Sequence, residues 1–174
     1  MIIRTIKPQD YKAVDQLIRT VFTQTEFGYG EEAELVDKIR ASKEDYISEL
    51  EIVATQDNDI IGHGLLSKVN IQTNQNSLTG LVLAPIEVAL NYQKSGVGKE
   101  MMQVLESRAK ELNYPYISIL GHPSYYAKFG YVPAKQYGVK PPFEVPEDAF
   151  LIKPLSDGAL TGVEGTLRYS AAFS

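Results

Sequence analysis

A glycine-containing turn between an apolar strand and an amphipathic helix places the strongest constraint on the fold of this chain. The apolar segment 81–90 leads into the turn Gln93-Lys94-Ser95-Gly96-Val97-Gly98-Lys99. Apolar residues then recur at helical spacing over 96–112, and 116–120 is a short apolar segment. A strand, a helix and a second strand in this order usually form a right-handed parallel crossover. We therefore predict that 81–90 and 116–120 are neighbouring parallel strands.

The rest of the chain divides into helical and strand-like segments. Apolar segments before the turn predict an antiparallel meander, and helical spacing predicts two helices ahead of it. The predicted elements are an opening strand within 2–6, helices after Pro8 and over 31–41, strands at 50–55, 60–71 and 78–90, helical residues 125–129, and tail strands at 149–154 and 165–171. This order predicts an α+β fold with a mixed, mostly antiparallel sheet. No repeat or linker interrupts it, so we expect one domain over 1–174.

Residue types that are missing or rare exclude several kinds of site. The chain contains no cysteine, which excludes disulfides, thiolate metal ligands and a cysteine nucleophile. The two histidines, His63 and His122, have no matched carboxylate spacing, so we predict no metal site. We expect His63 to face a partial core from its strand.

The charge and hydropathy patterns disfavour nucleic acid and membrane partners. The net charge is −5 and no lysine- or arginine-rich block offsets it, so we expect no nucleic-acid role. The longest apolar stretch, 81–90, contains Glu87 and is too short to span a bilayer. The first residues lack the apolar segment and cleavage site of a signal peptide. Together with the absence of cysteine, these features predict a cytoplasmic protein.

The turn at 93–99 has the composition of an anion-binding site. Amides at a helix N-terminus point outward without partners, and the helix dipole favours negative charge there. Gly96 and Gly98 would let the backbone approach a phosphate group, and Lys94 and Lys99 add positive charge. By itself, this pattern fits a strand-to-helix turn without a ligand equally well.

Two familiar phosphate-binding motifs do not fit the turn. A Walker loop requires glycine where Gln93 stands and a hydroxyl residue where Glu100 stands. A dinucleotide fingerprint requires a third glycine where Met101 stands. The remaining pattern, Gln-x-x-Gly-x-Gly, resembles the pyrophosphate turn of the GNAT superfamily of N-acetyltransferases.

The segments on both sides of the turn resemble the same family. Leu83-Ala84-Pro85-Ile86-Glu87-Val88 is similar to its fourth strand, and Gly121-His122-Pro123-Ser124-Tyr125-Tyr126-Ala127-Lys128-Phe129-Gly130-Tyr131 is similar to its second motif, Tyr-x-x-x-Gly-Phe/Tyr. The Gly-His-Pro-x-Tyr-Tyr version resembles the YhbS-like branch of predicted acetyltransferases, and the resemblance covers nearly the whole chain. It implies the GNAT fold and acetyl-CoA as co-substrate.

The resemblance also implies how this chain binds acetyl-CoA. In the family, the fourth and fifth strands splay apart and the pantetheine arm lies between them. Backbone groups of Ile86, Glu87 and Val88 would then bond the arm, and the turn would bind the pyrophosphate. The implied turn residues are Gln93, Lys94, Ser95, Gly96, Val97, Gly98 and Lys99. Where many relatives carry an asparagine that touches the coenzyme, this chain has Ile119.

Two residues are candidates for proton transfer. Tyr126 matches the tyrosine that usually protonates the coenzyme A thiolate in this family, with Tyr125 as the alternative. A phenol with a pKa of about 10 stays protonated at neutral pH and can act as this acid. Glu87 interrupts an apolar strand beside the expected thioester, so it could accept the acceptor's proton directly or through water. The sequence also allows Glu87 on a solvated face of the sheet, and Tyr126 in a packing role.

The leading hypothesis is therefore an N-acetyltransferase that transfers acetyl from acetyl-CoA to an amine by direct attack. A noncatalytic acyl-CoA sensor or interaction module, and transfer of a longer acyl group, stay open. The acceptor, a small amine or a peptide amine, is unidentified. The family architecture implies that its pocket involves Phe27, Tyr29, Glu31, Glu32 and parts of 135–148. We expect a monomer or a homodimer.

Overall fold

The computed structural model describes residues 1–174 and contains four α-helices and nine β-strands. The helices are α1 (Tyr11–Thr23), α2 (Glu32–Ala41), α3 (Val97–Glu111) and α4 (Pro123–Tyr126), and none is long and apolar enough to cross a membrane. The strands are β1 (Ile2–Thr5), β2 (Glu51–Gln56), β3 (Asp59–Gln72), β4 (Ser77–Val88), β5 (Tyr116–Leu120), β6 (Val132–Pro133), β7 (Val139–Lys140), β8 (Phe150–Pro154) and β9 (Gly165–Arg168). They form a mixed sheet in the order β1-β2-β3-β4-β5-β8-β6, with β9 paired to β3 and β7. The predicted α+β fold with a mostly antiparallel sheet is confirmed.

The chain folds as two compact units. The first contains residues 1–67 and 84–108, and the second contains residues 68–83 and 109–174. Strands β3 and β4 and helix α3 each run along the chain from one unit into the other. The expectation of one domain over 1–174 stays a prediction.

In the first unit, β1, β2 and the start of β3 form an antiparallel set. The turn between β2 and β3 places Asp57 and Asn58 at φ 52° and 70°. Two central residues with positive φ are typical of a type I′ turn, and aspartate and asparagine tolerate that conformation. Val53 pairs with His63, so Glu51 and His63 lie on the same face, because side chains alternate along a strand.

Helices α1 and α2 bury their apolar faces in the first unit. The buried residues of these helices are Val14, Ile18 and Val21 in α1 and Ala33, Val36 and Ile39 in α2. A spacing of three to four residues places each set on one side of its helix. Arg19 of α1 forms ion pairs with Asp15 and with Glu34 of α2. The two helices are thus held together by apolar packing and by a surface ion pair.

Helix α3 packs closely on β3 within the first unit. Its residues Met101 and Leu105 are buried against two glycines of that strand. A Cβ atom on Gly62 would lie 2.9 Å from Cε of Met101, and one on Gly64 would lie 3.1 Å from Cδ1 of Leu105. The glycines therefore let the helix that follows the 93–99 turn approach the sheet.

In the second unit, β4 and β5 pair in parallel, with Leu81 opposite Ile117 and Val82 opposite Ser118. This register confirms the predicted crossover, in which α3 connects two neighbouring parallel strands. Strand β5 pairs antiparallel with β8, and β8 pairs antiparallel with β6. The two short tail strands β7 and β9 form a second parallel pair.

The start of β5 is fixed by a tyrosine that packs on a glycine. Tyr116 is fully buried, and a Cβ atom on Gly80 would lie only 2.4 Å from its ring. The Tyr116 hydroxyl donates to the carbonyl oxygen of Leu78, 2.9 Å away, so its polar end is satisfied inside the core.

Most predicted segments are confirmed with small shifts of their ends, and three differences are informative. Residues 90–92 form a short 3-10 helix instead of continuing the strand at 78–88. Helical structure around Tyr126 begins earlier than expected, at Pro123, which suits the first turn of a helix. Strands β6 and β7 were not predicted, because two residues are too few to show a period.

Candidate active site

The predicted phosphate-binding turn leads from the end of β4 into α3 in the first unit. A short 3-10 helix, Leu90–Tyr92, separates the strand from the turn. The Gln93 side chain donates through Nε2 to the carbonyl oxygen of Val88, 3.0 Å away, and the Ser95 hydroxyl donates to the carbonyl oxygen of Tyr92. These two side chains fold the turn onto its own backbone, which leaves the amides at the helix start for a ligand.

The backbone of the turn is left-handed at two positions. Lys94 has a φ of 62° and Gly96 a φ of 93°. A Cβ atom placed on Gly96 would have no atom within 4 Å, so backbone conformation, and not crowding, requires glycine there. The Gly96 carbonyl accepts from the Glu100 amide at 3.1 Å, which begins the helix. The amides of residues 97–99 have no partner within the helix and carry the positive end of its dipole.

The residues of the turn differ in how much of their surface is exposed to solvent. The exposed residues are Gln93, Lys94, Ser95, Gly96 and Lys99, and Val97 is buried. Two exposed lysines beside the amides of a helix N-terminus suit a diphosphate, since this end of a helix favours anions. The binding role of the turn stays a prediction.

Glu87 lies near the end of β4 and is buried, with 4% of its surface exposed. The alternative in which it lies on a solvated face of the sheet is wrong. Its Oε2 atom lies 2.7 Å from Nδ1 of His63, and its Oε1 atom has no hydrogen-bond partner in the protein. A buried carboxylate oxygen without a partner is costly and rare. Oε1 is therefore the atom of Glu87 that is free to accept a proton.

His63 lies in β3, is fully buried and bridges two carboxylates. Its Nε2 atom lies 2.7 Å from Oε2 of Glu51, while Nδ1 faces Glu87. An imidazolium can donate through both ring nitrogens, whereas a neutral imidazole donates through only one. The core-facing position expected for His63 is confirmed, and its two carboxylate partners are new.

Glu51 is held in turn by α2 and by the segment that follows it. Arg40 donates through Nε to Oε1 at 3.0 Å and through Nη2 to Oε2 at 2.6 Å. The Tyr46 hydroxyl donates to Oε1 at 2.7 Å. We call Arg40, Glu51, His63 and Glu87 the buried charge cluster. The structure shows no group of three or more histidine, aspartate or glutamate residues that could hold a metal ion.

The buried charge cluster combines two cationic and two acidic side chains. Burial lowers the pKa of His63, but the charge of Glu87 and the hydrogen bonds to both carboxylates outweigh it and raise that pKa to about 9. Burial raises the pKa of Glu51, but hydrogen bonds from His63 and Arg40 outweigh it and lower that pKa to about 2. At Glu87 burial dominates and raises the pKa, although His63 opposes it. Glu87 is therefore the carboxylate of the cluster that is suited to take up a proton.

Tyr126 belongs to the second unit, where α4 carries it after β5. A Cβ atom on Gly121 would lie 2.4 Å from Cε2 of Tyr126, so the ring packs directly on that glycine. Its ring centroid lies 5.0 Å from that of Tyr125 and 6.0 Å from that of Tyr131. Burial, and then the neighbouring Tyr125, raises the pKa of Tyr126 to about 12. The phenol is protonated at neutral pH, as an acid must be, and the catalytic role of Tyr126 stays a prediction.

The segment expected to form the acceptor pocket leads into α2. Phe27 is 91% exposed, and Glu31 starts the helix from a left-handed conformation with a φ of 67°. The Tyr29 hydroxyl donates to Oε1 of Glu34 at 2.5 Å and accepts from the backbone amide of Ala33 at 3.1 Å. The other implied segment, 135–148, belongs to the second unit.

Glu32 connects this segment with the buried charge cluster. Its Oε1 atom accepts from the amide of Gly30 at 2.8 Å, and its negative charge contributes to the raised pKa of Glu87. Within the first unit, the structure brings Glu87 together with His63, Glu51 and, at the end of α2, Arg40.

Sequence reasoning missed the partners of Glu87, although a signal for them exists. Glu51, His63 and Glu87 each place an ionisable residue within an apolar strand. Strand register supplies the second part of the signal, because the pairing of Val53 with His63 puts Glu51 on the same face. No sequence spacing connects Arg40 with these strands, since α2 reaches them only through tertiary packing.

A family model for the acetyltransferase (GNAT) domain matches residues 2–134. This chain belongs to the GNAT family of acetyltransferases. The uncharacterized N-acetyltransferase YhbS of Escherichia coli strain K12 is 30% identical over 175 residues, which cover 100% of this chain and 99% of YhbS. The uncharacterized N-acetyltransferase YjhQ of the same strain is 29% identical over 132 residues, or 75% of this chain and 72% of YjhQ.

Solved structures of GNAT proteins share the fold. The crystal structure of E. coli YhbS in complex with CoA matches with a TM-score of 0.87 and 29% identity, covering 99% of this chain and 91% of that chain. A GNAT family acetyltransferase from Brucella melitensis in complex with acetyl-CoA matches with a TM-score of 0.76, covering 99% and 97%. Its identity of 23% makes that second likeness one of fold alone. The predicted family and its YhbS-like branch are confirmed.

Proposed function

We propose that this protein is an N-acetyltransferase that transfers the acetyl group of acetyl-CoA to an amine by direct attack. The turn at 93–99 carries the proposal, because its exposed, left-handed Gly96 and the helix N-terminus that follows it suit a diphosphate. Membership of the GNAT family supports it. The structure of E. coli YhbS with CoA supports the choice of co-substrate.

Backbone groups would hold most of acetyl-CoA. The amides of 97–99 and the open space at Gly96 would hold the pyrophosphate, with Lys94 and Lys99 adding positive charge. The backbone of residues 86–88 would bond the pantetheine arm. The Gln93 side chain already links the end of this strand to the turn.

The chemistry requires an unprotonated amine and a proton for the leaving sulfur. Acetyl-CoA supplies an acetyl thioester, whose C–S bond breaks as the C–N bond forms. Glu87 takes up the proton that the amine loses, through a bridging water, because its free Oε1 atom is buried. Tyr126 gives its phenolic proton to the sulfur. Glu87 then releases a proton to solvent and Tyr126 regains one, so the step balances.

The acceptor is an amine that enters as an ammonium ion, releases one proton to solvent before it attacks, and loses the second to Glu87 as the C–N bond forms. The carboxylates of Glu32 and Glu87 favour a cation, and Glu32 is close enough to raise the pKa of Glu87. We propose a small amine or a peptide amine as the acceptor. We further propose that residues 1–174 act as one domain in the cytoplasm, as a monomer or a homodimer.

The test is a screen of small amines, polyamines, amino acids and peptides that follows the release of CoA with a thiol reagent. Because the chain has no cysteine, every thiol detected comes from CoA. Calorimetry with acetyl-CoA and with a longer acyl-CoA runs beside the screen. Turnover of an amine would support the proposal. Binding of acetyl-CoA without turnover of any amine would favour a noncatalytic acyl-CoA sensor or interaction module, and absence of binding would overturn both.

A further inference from the structure

We propose that His63, held as an imidazolium by Glu51, is a positioning residue that fixes Glu87 and keeps it ionised for proton uptake. The inference rests on the proposed function, in which Glu87 accepts the proton of the amine. It assigns a role to two residues, His63 and Glu51, that lie beyond the predicted site.

The geometry fixes which oxygen of Glu87 reacts. Nδ1 of His63 occupies Oε2 at 2.7 Å, and Oε1 is left without a partner in the protein. The opposite ring nitrogen is fixed at 2.7 Å by Glu51, whose oxygens also bond Arg40 and Tyr46. A ring held at both nitrogens cannot rotate away, so Glu87 presents Oε1 in one orientation.

The charges of the cluster explain why a histidine stands there. Burial makes an isolated carboxylate bind its proton too tightly to act as a base at neutral pH. A cation beside Glu87 opposes this, and His63 remains a cation because two carboxylates raise its pKa. Glu51 can serve as the permanent anion, since His63 and Arg40 together lower its pKa.

Other charged or titratable groups also act on the cluster. They are Glu32 toward Glu87, Tyr46 and Arg40 toward Glu51, and Tyr11 and Asp37 toward Arg40. Two anions, Glu51 and then Glu32, oppose the ionisation of Glu87 and raise its pKa. His63 is therefore the group in direct contact with Glu87 whose charge favours the ionised base.

The first test measures the charge of His63 without any substrate. In a His122→Gln background His63 is the only histidine, so the imidazole signals in a magnetic resonance titration belong to it. We expect a midpoint near pH 9, and a fall of at least one pH unit when Glu87→Gln or Glu51→Gln removes one carboxylate. A His63 that is already neutral at pH 7 would overturn the inference.

The second test compares the pH dependence of kcat/KM between His63→Gln and the parent protein. The ratio of the two profiles cancels the ionisation of the amine itself. Without the cation, the pKa of Glu87 rises, so the acidic limb should move up by at least one pH unit, and kcat/KM at pH values below the parent's limb should fall at least about tenfold. Activity should recover at higher pH, and the Kd for acetyl-CoA should stay within about twofold.

Ser67→Ala provides a matched control for disturbance of β3. Ser67 is fully buried in the same strand, and its hydroxyl has no partner, so its loss should not move the acidic limb. If His63→Gln lowers kcat/KM equally at every pH, His63 merely supports the fold and the inference is wrong. If His63→Gln does not fold, the titration of His63 in the His122→Gln background decides, and a neutral His63 at pH 7 overturns the inference.

The outcomes separate this inference from the proposed function. A parent protein that binds acetyl-CoA but acetylates no amine overturns the proposed function and the role of His63 with it. A parent protein that acetylates amines while His63 is neutral at pH 7 leaves the function intact and overturns this inference alone.

Discussion

The turn at 93–99 and the buried charge cluster belong to the same compact unit but are built in opposite ways. The turn is a continuous and mostly exposed stretch, and the groups proposed to bind the ligand are backbone amides at the start of α3. The cluster joins side chains from α2, β2, β3 and β4, and its acidic residues and histidine are buried. A sequence motif can specify the first, whereas only the complete fold assembles the second.

Because the two regions are built differently, substitutions in them should have different effects. Side chains of the turn lie mostly at the surface, so replacing one of them should not disturb the core. Substitutions in the turn should therefore affect the affinity for acetyl-CoA more than the stability of the fold. A buried ion network is costly when one partner is removed, so substitutions there should affect stability and pH dependence together. Single substitutions in each region test this division, beginning with the largest effect.

Gly96→Asp should abolish the binding of acetyl-CoA. The substitution places a carboxylate where the pyrophosphate is proposed to lie, and it adds backbone strain of about 1 to 2 kcal/mol because φ is 93°. We expect affinity to fall at least about 1,000-fold, or about 4 kcal/mol, by calorimetry. Circular dichroism should show a folded protein.

Gly162→Asp is the matched control for that substitution. Gly162 has a φ of 72°, and a Cβ atom placed on it would have no atom within 4 Å, so the variant carries the same strain and charge away from the turn. Its affinity for acetyl-CoA should equal that of the parent protein. Unchanged affinity in a folded Gly96→Asp variant would remove the turn from the site.

Tyr126→Phe should separate turnover from binding. The change keeps the ring that packs on Gly121 and removes the phenolic proton. A positioned acid contributes about 10² to 10⁴ in rate, so kcat should fall by about this factor, or roughly 3 to 5 kcal/mol of barrier. The Kd for acetyl-CoA should change little, because the predicted pyrophosphate contacts lie in the turn.

Tyr125→Phe is the control, since Tyr125 is exposed and lies one position earlier. It should retain the turnover of the parent protein. If Tyr125→Phe loses turnover and Tyr126→Phe does not, the acid is Tyr125. Full turnover in both variants would point to proton delivery by water.

The stability of the fold should fall at alkaline pH because of His63. Its pKa is raised from an ordinary 6.5 to about 9, so its contribution is complete below pH 6.5 and is lost as pH rises through 9. The loss should approach roughly 3 kcal/mol in the free energy of unfolding, measured by urea denaturation between pH 6.5 and pH 9.5. The His63→Gln variant should show a flatter profile. An equal alkaline loss in the variant would mean that other groups cause it.

The sequence was sufficient for the fold because its elements are long and periodic. Helix α3 and strands β4 and β5 follow from the spacing of apolar residues, and their parallel register confirms the crossover. Strands β6 and β7 are too short to carry a period, so tertiary pairing alone defines them.

The candidate site was predictable only where its residues form a local motif. The turn and Tyr126 could be proposed as site residues because each belongs to a continuous segment, and their roles stay predictions. Glu87 could be suspected because it interrupts an apolar strand, but its burial depends on His63 and Glu51 from two other strands. Which ionisable residues share a buried site is a property of strand register and helix packing, and no spacing along the chain encodes it.

The smallest expected effect tests whether burial makes a hydrogen bond to a carboxylate contribute more to stability. Two tyrosines each donate a hydrogen bond to a glutamate five positions later: Tyr46 to Glu51 at 2.7 Å and Tyr29 to Glu34 at 2.5 Å. Glu51 is buried, whereas the Glu34 side chain is 40% exposed. Tyr46→Phe should lower the free energy of unfolding by about 1 to 2 kcal/mol, because a buried carboxylate loses a donor that water cannot replace.

Tyr29→Phe makes the same chemical change at the surface and should cost less than about 1 kcal/mol, because water can take the place of the hydroxyl beside Glu34. Urea denaturation of both variants at pH 7 gives the comparison, and an unchanged m value confirms that the unfolded states are alike. Neither substitution touches the turn, so acetyl-CoA affinity should be unchanged in both. Equal losses of stability would show that Arg40 and His63 already satisfy Glu51 without Tyr46. In that case Tyr46 would add no stability to the four charged residues of the cluster beyond that of a surface tyrosine. Burial of Glu51 would then not decide how much its hydrogen bond from Tyr46 contributes to stability.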